Sequence, residues 1–261
     1  VTVLAFHQVD AFADRAFAGN PAAVMPLDHW LSDEIMQAIA GENNLSETAF
    51  LVPSERDDAD YDLRWFTPTV EVDLCGHATL AAAEIMLLEQ RVRFATRSGI
   101  LSVERRDGLL WLDMPASKIA PAIPGSEESA LRQKVHGVWN VTGGNGGAIV
   151  LLGDEAALRA TQPDFAAVAA CSNGFIIATA PGDTVDFVSR VFCPTFGIDE
   201  DPVTGSAHCA LTPFWANRLG NDRLSAIQAS RRGGALVCEL RGERVLLGGH
   251  CVRVIEGRFF L

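Results

Sequence analysis

Between residues 70 and 89 the sequence passes from a β-type run ending at Leu74-Cys75, through Gly76, into a helix that is apolar on nearly every side. From Ala78 to Leu88 only Thr79 and Glu84 are polar, so the helix must be enclosed by the rest of its domain. Gly76 permits the sharp turn, and strong helix formers follow it. A helix that starts inside a protein aims the free N–H groups of its first turn, and the positive end of its dipole, at whatever lies ahead. That setting suits a carboxylate. The pattern predicts a site at the turn of Gly76 and His77.

The arrangement occurs twice. Arg64-Trp65-Phe66-Thr67-Pro68-Thr69 returns as Arg190-Val191-Phe192-Cys193-Pro194-Thr195, and each copy is followed by an acidic segment, a glycine and a mostly apolar helix. The second helix opens at Gly205 and runs to about Leu219, with Pro213 within its first turns. The copies are offset by about half of the 261 residues, which implies two related α/β halves. Two buried helices with polar, glycine-led starts predict one cleft between those halves. The stretch 115–129, rich in Pro, Ala, Ser and Gly, reads as a linker and places the domains at 1–117 and 118–249. The last strand, near 250–261, is open to joining the first domain.

Elsewhere the pattern is ordinary. Ser32 is expected to cap a helix whose inner face is Ile35, Met36 and Ile39 and which ends at Gly41. Residues 92–114 read as a meander turning at Arg106-Asp107-Gly108. In the second half, helices are expected over 155–159 and 164–170, and strands over 135–141, 148–152, 175–180, 185–192, 227–230, 235–240, 245–247 and 251–255. The cluster Gly143-Gly144-Asn145-Gly146-Gly147 precedes a strand and lacks a following Lys-Ser/Thr, so it reads as a hairpin turn and not as a phosphate loop.

Composition narrows the partners. A net charge of −12, with Arg105-Arg106 and Arg231-Arg232 as isolated basic pairs, argues against nucleic acid or an anionic membrane. No apolar run approaches the roughly 18 residues of a membrane span, and the N-terminal stretch lacks a signal-peptide pattern, so a soluble cytoplasmic protein is expected. The six cysteines show neither C-x-x-C nor Cys/His spacing and read as small buried residues. No metal and no cofactor is expected.

Several polar residues stand where chemistry would need them. Glu47, between Ser46 and Thr48 at the mouth of an apolar strand, is a candidate acid/base, since a carboxylate partly withdrawn from water can take and return a proton near neutrality. A solvated strand end is its bland alternative. His77, at a helix N-terminus, is expected to be held neutral by the dipole, or simply to pack there. Asp201, four residues before Gly205, is placed either to orient a substrate amine or hydroxyl or to cap its own turn. Ser206 either binds ligand or caps the second helix, and Asn20, held extended before Pro21, either lines the site or serves a turn. Ser206 lacks a G-x-S-x-G elbow, which leaves a Ser-His-Asp hydrolase unsupported.

Five ordered motifs carry a specific resemblance. Gly19-Asn20-Pro21, Asn44-Leu45-Ser46-Glu47-Thr48-Ala49-Phe50, Leu74-Cys75-Gly76-His77-Ala78-Thr79, Glu200-Asp201-Pro202-Val203-Thr204-Gly205-Ser206-Ala207-His208 and Arg232-Gly233-Gly234 resemble the PhzF family. That family is named for the phenazine-biosynthesis isomerase and is related in fold to diaminopimelate epimerase. The resemblance implies two similar domains, each a curved, mostly antiparallel sheet or barrel around a central helix, commonly in a homodimer. By motif it makes Glu47 the acid/base, gives His77 and Asp201 catalytic parts, and leaves Asn20, Ser46, Gly76, Gly205 and Ser206 to hold substrate. The similar epimerases use two thiols, one before each buried helix. Here Cys75 stands at the first position and Thr204 at the second, so a two-thiol mechanism lacks a partner.

The function expected from the residues and the resemblance together is a cofactor-independent isomerase of a small carboxylate. Glu47 would move one proton along the substrate, as in the isomerisation of trans-2,3-dihydro-3-hydroxyanthranilate. An amino-acid or hydroxy-acid epimerase or racemase is the alternative in the same class, and a non-catalytic small-carboxylate binder the alternative outside it.

Overall fold

A computed structural model describes residues 1–143 and 146–261, in two compact units: Val1–Asp113 with Gly248–Leu261, and Met114–Leu247. The first contains β1 (Val3–Ala11), β2 (Asn20–Pro26), α1 (Asp33–Asn43), β3 (Glu47–Pro53), β4 (Tyr61–Phe66), β5 (Glu71–Val72), α2 (Gly76–Met86), β6 (Arg91–Thr96), β7 (Gly99–Arg106) and β8 (Leu109–Pro115). Their pairing runs β1, β2, β3, β4, β6, β7, β8, with β5 beside the end of β4. Only the β2–β3 and β4–β6 pairs are parallel. The predicted turn between β7 and β8 forms with Asp107 and Gly108 both in the left-handed region, the geometry that matches strand twist in a two-residue hairpin.

Helix α2 is enclosed over its first eight residues, while Glu84 to Met86 are half-buried and the helix stops at Met86, short of Leu88, which is exposed. Every residue from Gly76 to Ala83 is buried, with β1, β2, β3 and a late strand, β18 (Cys251–Phe260), packed against it. β18 pairs antiparallel with β1 along its length, which returns the C-terminal strand to the first unit. Helix α1 closes a satellite core with Met25, Phe50 and Phe66. Ser32 caps it as expected, accepting the Ile35 N–H at 3.4 Å. Two details of α1 differ from the sequence reading. The helix continues past Gly41 to Asn43, because Asn44 takes the left-handed conformation that ends it, and the inner face is Met36, Ile39 and Ala40, with Ile35 exposed.

The second unit repeats the plan. It contains β9 (Lys118–Ala122), α3 (Glu127–Leu131), β10 (Gly137–Thr142), β11 (Ala148–Leu151), α4 (Glu155–Ala160), α5 (Phe165–Ala169), β12 (Ile176–Pro181), β13 (Phe187–Cys193), β14 (Ile198–Asp201), α6 (Gly205–Leu219), β15 (Arg223–Gln228), β16 (Gly234–Arg241) and β17 (Arg244–Gly249). Here β11–β12 and β13–β15 are the parallel pairs, matching β2–β3 and β4–β6. Each unit also takes in the strand that follows the other's meander, β9 after β8 and β18 after β17.

Two readings of this half are corrected. The supposed linker 115–129 contains β9, paired with β10, and the first residues of the helix α3. Its prolines suggested a spacer, yet Pro121 sits within β9 opposite Trp139. The strand expected over 227–230 ends at Gln228 and begins at Arg223. The glycine-rich hairpin reading falls partly on residues 144 and 145, outside the described residues; the flanking strands β10 and β11 pair antiparallel.

The sequence repeat has a structural cause. Arg64 grips Glu71 of β5 through Nε and Nη2 at 2.7 and 2.8 Å, and Arg190 grips Glu200 of β14 at 2.7 and 3.0 Å. Each guanidinium also lies over the ring two residues on, Phe66 at 5.2 Å and Phe192 at 4.9 Å. A bidentate fork and a ring face satisfy a half-buried arginine, and the acidic strand it holds leads into the turn that starts the central helix.

Candidate active site

Strands β2 and β3 start side by side in parallel, with Ala22 opposite Glu47. Gly19 controls the entry to β2: its φ is +64°, and a Cβ there would fall 2.1 Å from the Ala11 carbonyl oxygen. Only glycine fits. Asn20 therefore enters β2 fully buried, and Ser46 precedes β3.

These side chains converge on His77 at the start of α2. The imidazole Nε2 lies 3.0 Å from Glu47 Oε2, and both side chains are largely buried, 6% and 18% exposed. Both facing atoms are buried, and the contact is an ion pair when the ring is protonated. On the other ring nitrogen, Nδ1, stand Asn20 Nδ2 at 3.3 Å and Cys75 Sγ at 3.5 Å. Ser46 Oγ donates to Asn20 Oδ1 at 3.0 Å. The structure thus brings Glu47, His77, Asn20, Ser46 and Cys75 together at the first turn of α2, where the N-cap residue Cys75 makes no side-chain capping bond.

The electrostatics reverse one expectation. His77 was expected to be held neutral by the helix dipole. Burial does push it in that direction, but the Cys75 sulfur and the Glu47 carboxylate outweigh burial and set its pKa well above the ordinary imidazole value. A carboxylate at 3.0 Å is a stronger influence than a dipole end. Burial first, and then Glu47, push the Cys75 thiol up. Glu47, Cys75 and His77 offer donor atoms within 4.8 Å of one another, close enough to bracket a cation.

The equivalent turn in the second unit is built differently. Thr204, the N-cap of α6, donates its hydroxyl to Asp201 Oδ2 at 2.5 Å. Gln228 ties the turn down: its Oε1 accepts the Thr204 N–H at 2.9 Å, and its Nε2 donates to the Asp201 carbonyl at 2.8 Å. Ser230 Oγ donates to the Pro202 carbonyl at 2.8 Å and accepts the Gly233 N–H at 3.1 Å. Gln228 and Ser230 escaped the sequence reading; the one signal was a polar pair closing the otherwise apolar run Ile227-Gln228-Ala229-Ser230. Gly205 is buried at the first position of α6, and Ser206 follows it inside the helix, so Ser206 is not the cap. His208, one turn in, is fully buried; its Nδ1 lies 2.8 Å from the Thr204 carbonyl, and burial lowers its pKa to about 4.

Among known proteins, the family model described as phenazine biosynthesis-like protein matches residues 9–257. An uncharacterized isomerase of Pseudomonas aeruginosa is 51% identical over 263 residues, covering 99% of this chain and 99% of the relative. The crystal structure of a phenazine biosynthesis protein of the PhzF family from Enterococcus faecalis superposes with a TM-score of 0.92 at 43% identity, covering 100% of both chains. A hydroxyproline epimerase from Agrobacterium vitis, solved with trans-4-hydroxy-L-proline, shares the fold at a TM-score of 0.63 and 13% identity, covering 98% of this chain and 91% of its own.

Proposed function

The chain belongs to the phenazine biosynthesis-like (PhzF) family, and on that premise we propose that it is a cofactor-independent isomerase of a small carboxylate, with Glu47 as the acid/base. The observation that carries this reading is the Glu47–His77 pair: two buried atoms 3.0 Å apart, on a residue of the first turn of a buried helix and the first residue of β3. Glu47 takes a proton from an activated carbon. The released C–H electron pair becomes the new π bond, the neighbouring π bond shifts, and Glu47 returns the proton to the far carbon. No electron leaves or enters the substrate, so proton transfer is the whole reaction.

In this reading the His77 imidazolium steadies the Glu47 carboxylate and donates to charge developing on the substrate. The N–H groups around Gly76 receive the substrate carboxylate. Asp201, Gly205 and Ser206 keep the substrate-holding and orienting parts that their motif implies. The proposed reaction is of the kind that isomerises trans-2,3-dihydro-3-hydroxyanthranilate. One observation favours a second reading, epimerisation of an amino or hydroxy acid: Cys75 Sγ stands 3.5 Å from His77 and supplies a second proton-bearing group. Incubation in D2O separates the two. Isomerisation places deuterium at the carbon to which the double bond migrates, whereas epimerisation places it at an inverted stereocentre with every bond unchanged.

A further inference from the structure

The face of His77 turned away from Glu47 carries a hydrogen-bond chain that the reaction above does not use. Asn20 is completely buried, and its two side-chain groups engage different partners. Oδ1 accepts from Ser46 Oγ at 3.0 Å, and Nδ2 stands 3.3 Å from His77 Nδ1. A carboxamide is donor at one end and acceptor at the other. In this orientation it can only donate to the ring, so whenever the ring is neutral Nδ1 is bare and the ring proton sits on Nε2, facing Glu47. When Nδ1 carries a proton, the same pair of NH groups would collide. Turning the amide by half a rotation resolves that: Nδ1–H then donates to Oδ1, and Nδ2–H donates to Ser46 Oγ, which as a hydroxyl can donate or accept.

We propose that Asn20 and Ser46 form a reversible hydrogen-bond relay that sets which nitrogen of His77 carries the proton, with Asn20 a positioning residue. The inference moves Asn20 from the substrate-binding part that its motif implies to one exerted through His77. It rests on the reading of Glu47 and His77 as the proton-transfer pair only for its consequence in catalysis; the relay itself is a property of the resting protein. With Nε2–H imposed, Glu47 always finds a donor in front of it, and each change in the ring's charge is matched by a turn of the buried amide instead of an unpaired polar group, which burial would make costly.

The titratable groups that face the ring are few. Glu47 of β3 lies on Nε2 and Cys75 on Nδ1, and both favour the charged ring. β2 carries no titratable residue. On β1, Asp10 accepts the Phe17 N–H at 2.8 Å, and on β18 Arg253 pairs with Glu256 at 3.0 Å. Ring protonation is opposed by burial and, in its present orientation, by the Asn20 amide at Nδ1.

Nitrogen-15 NMR of ring-labelled histidine, combined with selective labelling of the asparagine carboxamides, tests the relay in the intact chain. In the wild-type protein the neutral ring is expected as the Nε2–H tautomer, and the Asn20 carboxamide signals move with the same midpoint as the His77 ring. In Asn20→Asp, two acceptor oxygens replace the amide, and the His77 midpoint rises by about 1–3 pH units with Nδ1–H retained. An Nδ1–H tautomer in the neutral wild-type ring, or Asn20 signals that stay fixed through the His77 titration, overturns the proposal, whether or not Asn20→Asp folds. Equal midpoints in wild type and a folded Asn20→Asp also overturn it. These readouts need no substrate, so a protein that passes them and shows no proton exchange on any carboxylate retains the relay and loses the isomerase.

Discussion

Removing the Glu47 carboxylate while keeping its shape isolates its chemistry. Glu47→Gln is expected to lower turnover by about 10²–10⁴-fold, the usual contribution of a placed acid/base, with a folded protein that still binds carboxylates; steady-state kinetics and thermal shifts read both. Gly19→Ala acts through the backbone. The added methyl meets the Ala11 carbonyl at 2.1 Å in a left-handed conformation, so a loss of roughly 1–3 kcal/mol in urea unfolding is expected, together with weakened activity as Asn20 shifts. His208 supplies a pH dependence. Its folded value of about 4 lies below the ordinary 6.5, so between those values the unfolded chain binds more protons. Stability therefore falls as pH drops below 6.5, by at most roughly 3 kcal/mol, and the fall levels off near pH 4. His208→Gln should flatten that portion of the urea-midpoint profile. At this scale the sequence pointed to Glu47 and His77 but misjudged the direction in which the His77 pKa is displaced, because nothing in linear order tells that a carboxylate 30 residues upstream comes within 3.0 Å.

The central helices were the most legible elements, because an apolar face all round leaves one solution. α2 is buried from Gly76 to Ala83, and α6 runs from Gly205 to Leu219 as read, with Pro213 inside. Filling that enclosure is penalised. Ala82→Leu, at a fully buried position, is expected to cost about 1–3 kcal/mol by overpacking, against less than about 0.5 kcal/mol for Leu88→Ala at an exposed position just past the helix, measured by chemical unfolding. Strands without a hydrophobic signature were missed. β14, Ile198–Asp201, is mostly acidic and is held by the Arg190–Glu200 fork more than by propensity. β9 lay hidden in a proline-bearing stretch because its pairing with β10 is a tertiary fact. The same reason conceals Gln228, whose role in the Asp201–Thr204 turn exists only after β15 is in place.

Across the whole molecule, the repeat explains why so much of the plan could be read. Two units with matching parallel pairs, β2–β3 with β11–β12 and β4–β6 with β13–β15, follow from two copies of one pattern. The repeat does not make the units chemically equal. The first gathers Glu47, His77 and Cys75 within 4.8 Å, whereas the second has Thr204 where the first has Cys75 and spends Asp201 on that threonine. That asymmetry favours the proposed single acid/base over a two-thiol scheme. No helix is long and apolar enough to cross a membrane among the described residues.

The most direct measurement is mass-spectrometric deuterium uptake from D2O into a panel of small carboxylates, including trans-2,3-dihydro-3-hydroxyanthranilate, with wild type and Glu47→Gln in parallel. The account predicts uptake in at least one compound with migration of its double bond, lost in Glu47→Gln. Uptake that persists undiminished in Glu47→Gln, or carboxylate binding with no uptake in any compound, contradicts it.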